Sequence, residues 1–251
     1  MKNRLRDNDY TEVDMTTLDR KNAVYLSDEP VFSFRLKDKW SALTHLGGFI
    51  AGIILMPVLL IRASVRGADM ISLSAYSVFM LSMILLYGAS FSYHAFNISE
   101  KANMILKKTD HMSIFILIAG SYTPICLIAL RNTIGPLLLA VIWACALAGM
   151  IFKFFWVGCP KWVSSVIYTA MGWLCIFCLP AITKAAGLHA VLWLAAGGVL
   201  YSIGAVFYAV KPKFITSREF GCHEIFHCFV LAGTFCHLVV NLHYLCAISL
   251  I

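Results

Sequence analysis

Residues 220–245 read FGCHEIFHCFVLAGTFCHLVVNLHYL. The stretch exceeds the roughly 20 apolar residues that a helix needs to cross a bilayer. It nevertheless opens with two histidines four residues apart, His223 and His227. On a helix this spacing turns the two rings by about 40° and separates them by about 6 Å, so both lean to one side and could hold one metal ion. Ionisable residues in a membrane span point to function by default. Taken alone, the pair fits equally well as two interfacial rings bonded to neighbouring carbonyls, so the rest of the chain has to decide.

The 251 residues are 60% hydrophobic and 13% charged. A soluble domain averages about 45–50% apolar and about 25% charged, so the composition predicts an all-α, polytopic membrane protein. The net charge of +7 is no sign of a nucleic-acid partner, because the lysines and arginines fall between apolar runs, where they set topology. Most of the nine cysteines lie inside those runs and act as small hydrophobes. Cys175 and Cys178 form a CxxC inside one run, without a soluble redox context.

Residues 1–39 form a polar tail with eight basic and eight acidic residues and no apolar signal-peptide core. Its last part, VFSFRLKDKW, sets Phe32, Phe34, Leu36 and Trp40 beside basic residues. This suits a segment lying on the membrane surface. The domain 40–251 is then expected to be a bundle of seven spans near 40–61, 70–96, 110–130, 136–157, 162–183, 189–210 and 220–246. The tail and the connections following spans two, four and six, counted with the span ends, carry sixteen basic residues against four elsewhere. The positive-inside rule therefore predicts a cytoplasmic N-terminus and an outside C-terminus. Pro57, Pro124 and Pro180 are expected to kink their spans. Gly47, Gly48, Gly88, Gly120, Gly172, Gly197 and Gly198 are expected to permit close helix contacts.

With that topology, polar residues converge on the cytoplasmic side. Span two ends there with SFSYH, setting Ser90 and His94 on one face. Span three starts there at KKTDH, with Asp110, and span seven starts there with His223 and His227. Three imidazoles bind Zn²⁺ at about 2.0–2.1 Å and leave a fourth position for water. An open site of this kind lowers the pKa of that water to about 7. Asp110 is expected to offset the ion's charge and accept the proton, and Ser90 to donate to a developing oxyanion. The alternatives are that Asp110 caps span three and that Ser90 bonds the carbonyl four residues back. His45 stays open between the two classes of role. His237 sits about 15 Å deeper and is too far to share the ion. His111 is expected to be structural, and His189 and His243 incidental. His223-Glu224-Ile225-Phe226-His227 also matches HExxH, the zinc-peptidase helix signature, with Glu224 as the base.

Three motifs carry a resemblance to the hemolysin III branch of the progestin and adipoQ receptor family, which includes the adiponectin receptors. They are the SxxxH of Ser90 to His94, the segment LKKTDHMSIFILIAGSYTP at 106–124, and the HxxxH of His223 to His227. The resemblance spans roughly residues 33–246. It implies a seven-helix bundle with zinc held by His94, His223 and His227, and with Asp110 and Ser90 beside the metal's water. It also implies hydrolysis of a membrane lipid amide or ester as the expected reaction. A sensor with structural zinc, a membrane-permeabilising hemolysin and an HExxH-type protease are the alternatives. Where the family has Glu, Asn and His on its first helix, this chain has Asp38, Ser41 and His45. The adiponectin receptors have Gln at the place of Glu224, which argues against a catalytic Glu224.

Overall fold

Seven helices follow from the seven apolar runs. The computed structural model describes residues 36–212, 215 and 220–248, all within the unit Leu36–Ile251. Phe32, Phe34 and nearly all of the polar tail lie outside the described residues. The spans are α1 Lys39–Val65, α2 Met70–Ala95, α3 Glu100–Ala129, α4 Gly135–Phe155, α5 Lys161–Ala186, α6 Leu188–Val210 and α7 Cys222–Ile248, each long and apolar enough to cross a membrane. No strand occurs among the described residues. Exposed Ile53, Ile54, Val58 and Ile61 on α1 and Leu137, Leu147 and Ile151 on α4 make an outer surface suited to lipid. The chain is a multi-pass integral membrane protein.

Neighbours in sequence pack as neighbours in space for α1–α2, α2–α3, α3–α4, α5–α6 and α6–α7, and α7 returns to α1. Span α3 is the most enclosed of the seven. It meets α2 where a Cβ on Gly120 would collide with the Ser82 side chain, and α4 where a Cβ on Gly149 would enter the Phe115 ring. Gly47 and Gly172 have open space around them instead, so the close contacts expected at those two positions do not form.

The largest departure from the expected spans is the start of α3. It begins at Glu100, and the Ser99 hydroxyl accepts a hydrogen bond from the Ala102 amide at 3.2 Å. An N-cap serine followed by an acidic first turn is a sound helix start, but the polar run EKANMILKKTD hides it from hydropathy. Asp110 therefore lies almost three turns inside α3 and is not its cap.

Two of the three span prolines mark irregular turns, whereas Pro57 sits within the continuous α-helix of α1. Pro124 precedes a π turn at Ile125–Ala129, and Pro180 follows a 3₁₀ stretch at Trp173–Cys178. The break in α5 frees backbone groups that α3 satisfies. The Tyr122 hydroxyl donates to the Gly172 carbonyl at 2.6 Å and accepts from the Cys175 amide at 2.9 Å. Deeper in the bundle, Tyr87 and Tyr201 share the Thr234 hydroxyl at 2.7 and 2.9 Å. Buried hydroxyls are thus paired across helices, as an apolar medium demands.

Candidate metal centre

The centre is built where three helix ends meet. α2 finishes at Ala95, leaving carbonyls without intrahelical partners. The segment leading into α1 supplies donors: the Asp38 amide bonds the His94 carbonyl at 2.9 Å and the Lys37 amide bonds that of Ala95 at 3.3 Å. This backbone splice sets the Asp38 carboxylate against the His94 ring, whose Nδ1–H donates to it at 2.9 Å. Nε2 of His94 then points the other way and meets Nε2 of His223 at 3.1 Å.

His227 is held similarly. Its Nδ1 lies 3.3 Å from the Ser41 carbonyl and 3.3 Å from the Thr44 hydroxyl, which leaves Nε2 free. One nitrogen from each of His94, His223 and His227 lies within 4.8 Å of the others. Tetrahedral coordination at 2.0–2.1 Å sets ligand nitrogens about 3.4 Å apart, so small ring adjustments gather this set around one ion. The chemistry of the donors also fits. Two of the rings offer Nε2 with Nδ1 engaged, the outer arrangement that orients metal-binding imidazoles.

His45 stands outside the ligand group and stacks on His227, with centroids 3.7 Å apart and planes 10° apart. Its two nitrogens are buried without partners. His111 donates from Nδ1 to the Lys107 carbonyl at 2.8 Å, in keeping with a structural role. His237 lies at the far end of the cavity described next.

Ser90 and Asp110 are both buried and line one cavity with His45, His223 and His227. The Ser90 hydroxyl has no hydrogen-bond partner, so it does not bond back along its own helix. A buried orphan hydroxyl beside three converging imidazoles is what a site for an ion and its water requires. The cavity, about 140 Å³, runs between α3, α5, α6 and α7 along Leu117, Ile118, Leu194 and Val230. An engineered apolar cavity of about 150 Å³ holds benzene, so this space is wide enough for an alkyl chain.

Glu224 is spoken for. One carboxylate oxygen accepts from the Ser41 hydroxyl at 2.5 Å and the other from the Gly221 amide at 2.8 Å, closing the first turn of α7. That leaves the HExxH reading without a free base. Ser41, at the place of the family's first-helix Asn, does support the site through its hydroxyl and carbonyl, and Thr44 is a support that sequence reasoning missed. The available signal was its place three residues after Ser41, on the same face of α1.

Comparison with known proteins follows the same lines. A family model described as Haemolysin-III related matches residues 35–238. The chain is 38% identical to Hemolysin-3 of Bacillus cereus over 194 residues, 77% of this chain and 85% of that protein. It is 36% identical to the Hemolysin-3 homolog of Bacillus subtilis (strain 168) over 204 residues, 80% of this chain and 91% of the relative. More distantly, it is 23% identical to the Adiponectin receptor protein of Drosophila melanogaster over 231 residues, 77% of this chain and 47% of that protein. The bacterial relatives fit a plasma-membrane location.

Proposed function

The chain belongs to the haemolysin-III family, and from that premise we propose that it is a zinc-dependent hydrolase of a membrane lipid amide or ester, with its site facing the cytoplasm. One observation carries the reading: three imidazole nitrogens converge, and two of those rings, His223 and His227, stand in the wall of an apolar cavity that Asp110 and Ser90 also line. A sensor with structural zinc would call for a fourth protein ligand and a closed site. Here the set has three histidines and opens onto a space suited to an acyl chain.

In this reading His94, His223 and His227 would hold Zn²⁺, which when bound supplies Lewis acidity and a water that ionises near neutral pH. Asp38 fixes the His94 tautomer, and the Ser41 carbonyl fixes that of His227. Asp110 takes the proton from the attacking water and returns it to the leaving amine or alcohol. The Ser90 hydroxyl, spared any structural bond, donates to the carbonyl oxygen as negative charge develops there. The apolar walls orient the acyl chain and keep bulk water away.

The test is elemental analysis of the purified protein together with hydrolysis assays on short-chain ceramides and lysolipids. About one zinc per chain is expected, lost in His227→Ala, with turnover that follows metal content. Undiminished metal in that variant, or wild-type protein that binds zinc but turns over no lipid amide or ester, overturns the reading.

A further inference from the structure

Beside the histidines, a second space of about 360 Å³ opens between the start of α5, the end of α6 and the start of α7. Tyr208 and His223 line both this groove and the apolar cavity, so the two spaces adjoin at these side chains. Two lysines stand in its wall. Lys161, the first residue of α5, holds its ammonium 4.3 Å from the centre of the Tyr208 ring. That ring is 5.7 Å from the His223 ring, which puts the ammonium within about 10 Å of His223. Lysines at helix ends usually stretch outward to the interface, whereas this one turns in over an aromatic face.

Lys211 follows α6 with φ of 50°, in the left-handed region. It is the one non-glycine residue with positive φ among the described residues. Gly or Asn is usual at such a helix end, and a lysine held there is the kind of backbone outlier that gathers at ligand sites. Among the described residues Glu224 is the carboxylate in the groove wall, and both its oxygens accept hydrogen bonds. Those bonds come from neutral donors and leave its charge in place, so the described wall sets two ammonium groups against one carboxylate and is net positive.

We propose that the lipid this site takes carries a phosphate monoester headgroup, seated on Lys161 and Lys211, with its acyl chain in the apolar cavity. The proposal rests on the hydrolase reading for what happens to the acyl linkage. A phosphate monoester carries about −1.5 to −2 charge near neutral pH, matched by two ammonium groups, and lysine binds phosphate as a point charge. A short polyol or amino-alcohol backbone spans the distance from that seat to the histidines and brings the acyl linkage between His223, Asp110 and Ser90.

Binding without turnover tests the seat separately from the chemistry. The full chain in neutral-lipid nanodiscs is titrated with oleoyl lysophosphatidic acid and with monoolein, each in its ether-linked form that resists hydrolysis, and with inorganic phosphate. The phosphorylated lipid is expected to bind about tenfold tighter than monoolein, a difference of about 1.4 kcal/mol. That preference should vanish in Lys161→Gln and in Lys211→Gln, with monoolein affinity and metal content unchanged. Lys108→Gln, whose ammonium instead covers Phe154, should keep it. Equal binding of the two lipids by wild type, or a preference that survives both substitutions, overturns the proposal. Inorganic phosphate that binds as tightly as the phosphorylated lipid, and is lost in the same variants, assigns the seat to a soluble anion and overturns it too. Lysine-dependent lipid binding, with no hydrolysis of the ester-linked lipids, upholds the seat and removes the hydrolase reading alone.

Discussion

Asp38 and His94, fifty-six residues apart in the chain, form a carboxylate–imidazole pair at 2.9 Å. The carboxylate can only accept, so Nδ1 of His94 carries the proton and Nε2 presents its lone pair to the other two histidines. Through this bond the segment ahead of α1 determines how a ligand on α2 is aimed. Removing such a partner typically costs 10–100-fold in metal affinity. Asp38→Ala should therefore weaken zinc binding by about that factor, read by competition with a chromogenic chelator. Unchanged affinity would show that the pair does not orient the ligand.

Asp110 and Glu224, the other two acidic residues of this region, should behave oppositely. Asp110→Asn keeps the shape of the side chain and removes the proposed base, so turnover should fall by about 10²–10⁴-fold with zinc retained. Glu224→Gln should keep its turnover, since Glu224 serves the first turn of α7 and Ser41. Its cost should appear as a lower melting temperature. The reverse pattern would restore the peptidase-like assignment.

The positive-inside rule, applied to the sixteen-to-four split in basic residues, predicts a cytoplasmic N-terminus. A reporter active only outside the cytoplasm, fused after Ile251, should be active, and a cytoplasm-dependent reporter should be silent there. The opposite result would turn the whole bundle over and place the histidines on the outer side.

Packing makes its own prediction. A methyl group on Gly149 has to displace the buried Phe115 ring, and overpacking of this kind costs about 1–3 kcal/mol. Gly149→Ala should lower unfolding stability in detergent by that amount. Gly47→Ala adds its methyl into open space within a helix, where Ala is preferred to Gly by up to about 1 kcal/mol. It should leave stability unchanged or raise it. Equal losses at both sites would mean that the α3–α4 contact is not tight.

Apolar run length made the seven spans legible from the amino-acid sequence, and the helical spacing of His223 and His227 exposed one side of the centre. Ser90, His94 and Asp110 could be placed nearby because span direction fixes which helix ends meet. The Asp38–His94 bond was not legible in the same way. It depends on the Asp38 and Lys37 amides capping α2, and backbone caps between distant segments leave no period in a sequence. The start of α3 escaped because Ser99 and Glu100 begin a helix with polar residues, which hydropathy counts as loop. The break in α5 escaped because WLCIFC is as apolar as the turns around it, and what compensates the break is a hydroxyl on another helix.

That break changes the phase of α5. Six residues wound as 3₁₀ turn through about 120° more than the same six in an α-helix, and advance about 3 Å further. Leu179–Ala186 is thus a separate screw, rotated by a third of a revolution against Lys161–Gly172. The offset carries Ile182 into the core and Leu179 to the cavity wall. A straight α5 would swing that face round toward the lipid. The Tyr122 hydroxyl, by holding Gly172 and Cys175 across the joint, acts as the index pin that keeps the two screws in step.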